Sequence, residues 1–338
     1  MIQLLLAPKF SAKTQPTSGH GRSCLSKRIN PGTGGASSPR TSLGSVGRRL
    51  SSAGLAFLLL TTTLAWAADK APYKSVGFVK TPASIELGAV SAVALDQRGG
   101  IYVLHRGEPP ILVFDSAGEY KHGWGDGMFK VAHALRVDTD GNLWTTDNGS
   151  HVIRKFTPAG KLLLTLGELD VPGADKTHFR SPDDLVFSSS GEIFVADAGN
   201  GRIVHLSAGG KWLAEWGKKG AEPGEFKLTH SLAIDDRDRI YVGDRGNNRV
   251  QVFEPNGKLA AVWSGFGNPF GVQVVGEHLL VSEGEINKMI QLDMEGNVTG
   301  SWGEPGDIGL PHLMALGPDQ TLYVAEVNGK RVQKFRRQ

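Results

Sequence analysis

Cysteine is almost absent from this chain of 338 residues, which contains only Cys24. A single cysteine excludes an intramolecular disulfide framework and any cysteine-based zinc or iron–sulfur site within one chain. Hydrophobic residues make up 40% of the chain and charged residues 21%, which excludes both a disordered chain and a membrane protein with several spans. Glycine is abundant at 45 residues, nearly double the usual share of ~7%, and this favours many tight turns between short strands.

Acidic residues are missing from the first 68 positions. That segment holds eight basic residues, and the first acid is Asp69. Subtracting those eight from the 37 Lys and Arg leaves 29 against 34 acids, so residues 69–338 carry a net charge of −5 although the whole chain carries +3. The basic character therefore lies in the leader, which argues against nucleic acid as a partner of the folded part.

The leader has the pattern of a secretory signal peptide. Arg48 and Arg49 precede the apolar run 55–64, and Ala65-Trp66-Ala67 then supplies a small-x-small cleavage signature. The run is short for a membrane span, which needs ~20 residues; an uncleaved anchor is the alternative. We predict that residues 1–67 are an extension plus signal peptide, that the protein is exported to the periplasm or outside the cell, and that no stable membrane span remains after cleavage.

Residues 1–46 are long for the basic start of a signal peptide. They are rich in Ser, Gly and Pro, which favours a mis-assigned start codon or a disordered extension. An organelle transit peptide, rich in Ser and Arg and free of acids, is the alternative.

The rest of the chain, residues 68–338, repeats with a mean period near 44 residues. A pair of apolar residues recurs at the second strand of each unit, flanked by glycine-containing turns such as Asp140-Gly141-Asn142. Four short strands per unit at this period are typical of propeller blades. The second members of the pairs are Tyr102, Trp144, Phe194, Tyr241, Leu280 and Tyr323, at intervals of 42, 50, 47, 39 and 43.

Six such units predict an all-β fold, a six-bladed β-propeller. The sixth unit stops at Arg337 after three strands, and the strand-like segment Tyr73–Lys80 lies before the first unit. We therefore predict that this N-terminal strand completes the last blade and closes the ring, which removes the exposed sheet edges. Tryptophans end the fourth strand in four blades and are predicted to pack between blades; they are Trp124, Trp216, Trp263 and Trp302.

Histidine occupies three of six equivalent positions at the start of the first strand, which lines the central channel of a propeller. The three lie in alternate blades, and alternate blades of a six-bladed ring stand ~120° apart, so the imidazoles are expected to converge. Three histidines with an open fourth position are the arrangement of a catalytic zinc site. The alternative is that each is a separate structural residue. The six positions are Ser91, His133, Asp183, His230, Phe270 and His312.

Acids recur at the end of the second strand in five of six blades. We predict a structural role, because such an acid can bond turn amides or a basic residue a few positions later, such as Arg202 or Arg249. The next position holds Arg106 and Arg245, which are predicted to lie on the same face of the propeller as the three histidines. Two guanidinium groups there would suit a carboxylate or oxyanion substrate. Ordinary surface ion pairs are the alternative for these arginines. The remaining histidines share no repeat position and are predicted to be structural: His105, His122, His151, His178, His205 and His278.

The repeats are similar to known ones. Residues 242–253 resemble an NHL repeat, and over 75–336 the chain resembles the peptidyl-α-hydroxyglycine α-amidating lyases. NHL repeats alone are weakly specific, since they also occur in scaffold and RNA-binding proteins, whereas the loop sequences combined with the histidine triad are far more specific. The stretches that carry the resemblance are 90–96, 105–107, 138–144, 172–179 and 226–232.

The resemblance implies an activity and a set of site residues. That family cleaves a peptidyl α-hydroxyglycine to glyoxylate and a peptide amide, and it is a zinc enzyme. Its metal ligands match His133, His230 and His312, and its two active-site arginines match Arg106 and Arg245. The implied zinc would polarise the substrate hydroxyl, and the arginines would hold the carboxyl-bearing fragment and stabilise negative charge.

Three departures limit the resemblance. The family's catalytic tyrosine follows the third blade's Asp, in a loop one residue longer than residues 197–202 here, which contain no tyrosine. Leu313 stands where the family has an Asp that helps to bind calcium, which argues against calcium, and the family's disulfides are absent.

Two functions stay open. The first is an exported zinc-dependent carbon–nitrogen lyase, a monomer acting on a peptide or small molecule that carries a carboxylate. The second is a non-catalytic binding or scaffold propeller that retains the metal site without the tyrosine.

Overall fold

The computed structural model describes residues 71–304 and 306–338, in which one 3-10 turn at Arg245–Asn247 accompanies 24 β-strands. The strands form six four-stranded sheets, each built from antiparallel neighbours. In these residues no helix is long and apolar enough to span a membrane. The predicted extension and signal peptide, residues 1–67, lie outside the described part of the chain.

Each sheet is one blade, and five blades take their strands in chain order. Blade 1 contains β2 (Val90–Leu95), β3 (Ile101–His105), β4 (Ile111–Phe114) and β5 (Tyr120–Trp124), and blade 2 contains β6 (Ala132–Val137), β7 (Leu143–Asp147), β8 (Val152–Phe156) and β9 (Leu162–Leu166). Blade 3 contains β10 (Pro182–Phe187), β11 (Ile193–Asp197), β12 (Arg202–Leu206) and β13 (Trp212–Trp216), and blade 4 contains β14 (Thr229–Ile234), β15 (Ile240–Asp244), β16 (Arg249–Phe253) and β17 (Leu259–Ser264). Blade 5 contains β18 (Pro269–Val275), β19 (His278–Glu283), β20 (Lys288–Leu292) and β21 (Val298–Trp302).

The sixth blade joins the two ends of the described chain. It contains β22 (Pro311–Leu316), β23 (Leu322–Glu326), β24 (Arg331–Arg337) and, as its outer strand, β1 (Tyr73–Phe78). Strand β1 pairs antiparallel with β24, with Tyr73 opposite Arg337. The ring of Tyr73 also stacks on Trp302 of blade 5, with centroids 4.8 Å apart. The six predicted blades are thereby confirmed, with the sixth assembled from both ends.

The outer-strand tryptophans pack between blades, as predicted. Trp216 of blade 3 lies 5.9 Å from Phe194 in its own blade and 5.9 Å from Phe253 in blade 4. The hairpin of blade 4 that covers this indole turns at Gly257, which has φ +81° and whose added Cβ would lie 2.9 Å from Trp216. A glycine is needed there both for the positive φ and for the close approach of the ring. Trp216 is partly buried by these contacts, which remove apolar surface of the indole from water.

The innermost strand of every blade has an irregular register at the same place. The pairing between the first and second strands shifts around the second residue of the inner strand in all six blades. A β-bulge leaves its extra residue unpaired and re-aims the side chain. In each blade, therefore, one side chain of the inner strand departs from the regular alternation of side chains between the two faces of the sheet. These residues are Ser91, His133, Asp183, His230, Phe270 and His312.

Candidate metal centre

The three histidines of the inner strands meet in space. His133, His230 and His312 are each 3% exposed, and their ring centroids lie 4.8 to 4.9 Å apart. One ring nitrogen of each lies within 4.8 Å of the others. The three imidazoles converge as their shared repeat position predicted, and that they bind a metal stays a prediction.

A hydrogen bond to the next blade orients each imidazole. In all three cases Nδ1 contacts the backbone carbonyl oxygen of the equivalent inner-strand residue in the following blade. Because a carbonyl oxygen only accepts, Nδ1 carries the hydrogen and Nε2 is left with its lone pair. Backbone acceptors of this kind fix the tautomer of metal-binding histidines. The pairs are His133–Asp183 at 2.7 Å, His230–Phe270 at 2.6 Å and His312–Ser91 at 2.6 Å.

Burial keeps the imidazoles of His230 and His312 in the neutral form. Burial holds the pKa of His230 well below its usual range, and the neighbouring His133, His312 and Arg245 act in the same direction. Burial likewise holds the pKa of His312 well below the ordinary value, reinforced by His133. Neutral imidazoles are the form that binds metal. Three buried, convergent nitrogen donors therefore fit a divalent ion such as zinc, with a position open toward the cavity.

Both predicted arginines lie on the same cavity as the histidines. This open cavity has a volume of about 470 Å³ and is lined by all five predicted site residues. Arg106 donates from Nε to the carbonyl oxygen of Ala132 at 3.2 Å. The guanidinium of Arg245 lies 3.7 Å from the ring centroid of Phe270. Burial lowers the pKa of both arginines and Asp183 opposes it, but a guanidinium keeps its charge in proteins. Their catalytic role stays a prediction.

Two further charged residues on this cavity were not singled out from the sequence. Asp183 Oδ1 accepts a hydrogen bond from Asn148 Nδ2 at 3.0 Å and lies 4.0 Å from His133 Nε2. Burial raises the pKa of Asp183, while His133 lowers it. Lys219 reaches the cavity from the loop that follows β13. Asp183 occupies the same repeat position as the three histidines, and this placed its side chain at the channel. Lys219 belongs to no repeat position.

The recurring acids have the predicted structural role. Asp197 accepts from the backbone amide of Arg180 at 2.7 Å and from Arg202 Nε at 2.8 Å. Asp244 accepts from Arg249 Nε at 2.8 Å. In blade 1 the same position holds His105, which is fully buried. Its Nδ1 accepts from the Gly88 amide at 3.1 Å and its Nε2 contacts the Pro109 carbonyl oxygen at 2.8 Å. These bonds hold the loops that carry the cavity residues.

Comparison with known proteins agrees with this architecture. The NHL repeat family matches residues 179–206 and 230–253, which lie in blades 3 and 4. The chain is 34% identical over 170 residues to peptidyl-alpha-hydroxyglycine alpha-amidating lyase 2 of Drosophila melanogaster, covering 40% of this chain and 42% of that protein. It is 36% identical over 161 residues to peptidyl-glycine alpha-amidating monooxygenase of Mus musculus, covering 39% of this chain and 16% of that protein. The chain thus matches less than half the length of either relative.

The chain is an NHL-repeat propeller that resembles the α-amidating lyases. Among solved structures, the NHL propeller superposes on a streptogramin B lyase with a TM-score of 0.61 at 13% identity, covering 79% of this chain and 98% of that one. At this level of identity the likeness concerns the fold alone.

The NHL propeller has no tyrosine among the described residues that line its cavity. The loop after Asp197 presents Ala198 and Gly199 to the cavity instead. A Cβ added at Gly199 would collide with the side chain and carbonyl oxygen of Arg180. This loop therefore has no space for a side chain at position 199. Leu313, at the position compared with a calcium ligand, is 1% exposed and packs in an apolar cluster, so its side chain offers no ligand atom.

Proposed function

We propose that this NHL propeller is an exported zinc-dependent lyase that cleaves a peptidyl or N-acyl α-hydroxyglycine to an amide and glyoxylate. One observation carries the proposal: three buried histidines with convergent ring nitrogens share a cavity with Arg106 and Arg245. The likeness to lyases of that name supports it. We propose a monomer whose partner is a substrate with a carboxylate, and not a nucleic acid.

The proposed reaction consists of one deprotonation, one bond cleavage and one protonation. The substrate hydroxyl loses a proton, the carbon–nitrogen bond breaks as the carbon–oxygen double bond forms, and the departing amide nitrogen takes up a proton. Zinc, when bound, polarises the hydroxyl oxygen and lowers its pKa. The imidazoles of His133, His230 and His312 would hold the ion.

The arginines supply binding and charge stabilisation. Guanidinium groups bind carboxylates through paired, charge-assisted hydrogen bonds. Arg106 and Arg245 would hold the glycine carboxylate in this way and so orient the adjacent carbon–nitrogen bond. Their positive charge would also stabilise the negative charge that develops on oxygen. The stacking of Arg245 on Phe270 fixes the plane of its guanidinium, which reduces the entropy lost on binding.

A non-catalytic binding propeller is the second candidate. The observation that favours it is the loop at Ala198 and Gly199, which offers no tyrosine to the cavity. In the described lining, Asp183 is the one carboxylate. A protein of this second kind would bind the metal and a carboxylate ligand without turnover.

Glyoxylate release separates the two candidates. Purified protein equilibrated with zinc is incubated with a peptidyl α-hydroxyglycine, and glyoxylate is measured against the spontaneous rate. We expect release that falls at least ~100-fold in Arg106→Ala. The exposed Arg237, remote from the cavity lining, gives the control Arg237→Ala, which should retain activity. Release at the spontaneous rate with zinc fully bound would support the binding propeller instead.

A further inference from the structure

The charges on the cavity do not balance. Its described lining carries three cations, Arg106, Lys219 and Arg245, against the single carboxylate of Asp183. No ion pair within residues 71–304 and 306–338 joins any of the three cations to a carboxylate. A bound divalent metal would add further positive charge. The cavity therefore has more positive charge than one substrate carboxylate neutralises.

Lys219 is held in a defined position rather than extended into solvent. Its Nζ donates to the carbonyl oxygen of Ala198 at 2.6 Å and contacts that of Lys227 at 3.3 Å. Its backbone forms a parallel bridge with Phe226. A Cβ added at Gly201 would lie 2.8 Å from Lys219 Cδ, so the absence of a side chain there leaves a path for the lysine stem. Much of the entropy of placing this ammonium is therefore lost before any ligand binds.

The three cations lie in different sectors of the ring. Arg106 follows β3 of blade 1, and Arg245 follows β15 of blade 4, the blade opposite in a ring of six. Lys219 follows β13 of blade 3 and is exposed at the cavity rim between blades 3 and 4. A carboxylate beside the three histidines would contact the arginines, and a part of the substrate that extended outward would meet the lysine.

We propose that Lys219 is a specificity residue that binds a second anionic group, carried by the acyl part of the substrate. Preferred substrates are then α-hydroxyglycines whose N-acyl group is itself acidic. Asp197 and Asp244, the other carboxylates nearby, are already hydrogen-bonded to Arg202 and Arg249, so they leave the ammonium available. This inference rests on the proposed function for the identity of the ligand.

Binding of two stable analogues tests the proposal without turnover. N-acetylglycine carries one carboxylate and N-succinylglycine carries two, and neither has the hydroxyl that the reaction needs. Calorimetric titration of the purified protein in excess zinc should give N-succinylglycine a Kd about tenfold lower, as expected for one added charge-assisted contact. Equal Kd values, or no binding of either analogue at millimolar concentration, would overturn the proposal.

Variants of Lys219 test whether its ammonium causes the tighter binding of N-succinylglycine. Lys219→Met keeps the apolar stem and should abolish the preference while the Kd of N-acetylglycine changes less than about twofold, and Lys219→Arg should restore it. The neighbouring Lys218 pairs with Glu225 at 3.0 Å and its side chain is 77% exposed, so Lys218→Met is the matched control. Equal weakening of both analogues in Lys219→Met would indicate a structural role and reject the proposal. The glyoxylate assay tests the lyase reaction separately, because the ratio of the two Kd values does not depend on turnover.

Discussion

The Nδ1 of His312 donates to the carbonyl oxygen of Ser91 at 2.6 Å, across 221 positions of sequence. His312 lies on β22 of the last blade and Ser91 on β2 of the first. One hydrogen bond thus orients a candidate metal ligand and links the blades at which the ring begins and ends. The histidine cluster and the closure of the propeller are therefore physically coupled, and each should respond when the other is disturbed.

Metal content follows from the geometry of the cluster. Purified protein should contain about one zinc per chain, measured by elemental mass spectrometry, and His230→Ala should lose it because only two of the three convergent nitrogens remain. The exposed His122 provides the control His122→Ala, which should keep its zinc. Wild-type protein that stays free of metal after equilibration with zinc would refute the site.

Acid should destabilise the fold through His105. Burial lowers the pKa of this imidazole, and its bonds to Pro109 and the charge of Glu108 only partly oppose that effect. The folded state therefore binds fewer protons than the unfolded state, whose histidine titrates near ~6.5. The stability that His105 provides is complete above that pH and is lost as the pH falls below it, toward the lowered pKa.

A pair of variants isolates that contribution. The free energy of unfolding in urea should fall less between pH 7.5 and 5.5 in His105→Gln than in the wild type, although the variant is less stable at pH 7.5. His122→Gln, at an exposed position, should follow the wild-type slope. Parallel curves for wild type and His105→Gln would show that this imidazole is not linked to stability.

The contact between Gly257 and Trp216 gives a prediction on stability. Gly257→Ala introduces a methyl group 2.9 Å from the indole at φ +81°, so steric overlap adds to backbone strain. We expect the free energy of unfolding to fall by about 2–4 kcal/mol. Backbone strain accounts for ~1 kcal/mol of this, and overpacking against the indole accounts for the rest. Gly118 has φ +83° with nothing near its added Cβ, so Gly118→Ala measures the backbone part alone. If thermal unfolding shows that Gly257→Ala and Gly118→Ala lose the same stability, the indole moves aside without cost.

Much of the site was predictable because it repeats. His133, His230 and His312 share one repeat position, and this position fixes the blade angle at which each side chain enters the channel. The arginines were found in the same way, since Arg106 and Arg245 follow equivalent strands. A feature that recurs in the sequence can be placed in space before the structure is known, because every blade has the same geometry.

What does not repeat was not predictable. Lys219 lies in a loop after β13, and its stem passes close to Gly201 on the way to the cavity. Asp183 occupies the same repeat position as the three histidines, which placed it at the channel but indicated no role for its carboxylate. The register shifts of the inner strands depend on pairing with the neighbouring strand, which no local sequence signal shows.

Those register shifts have a consequence for how new chemistry can arise on this scaffold. The second residue of each inner strand is set apart from the regular ladder, so its side chain can be exchanged without breaking strand pairing. Ser91, Asp183 and Phe270 occupy three such positions between the histidines. Six side chains that stand outside the ladder around one axis make the channel a place where ligand sets can change, by selection or by design, while the strand pairing is kept.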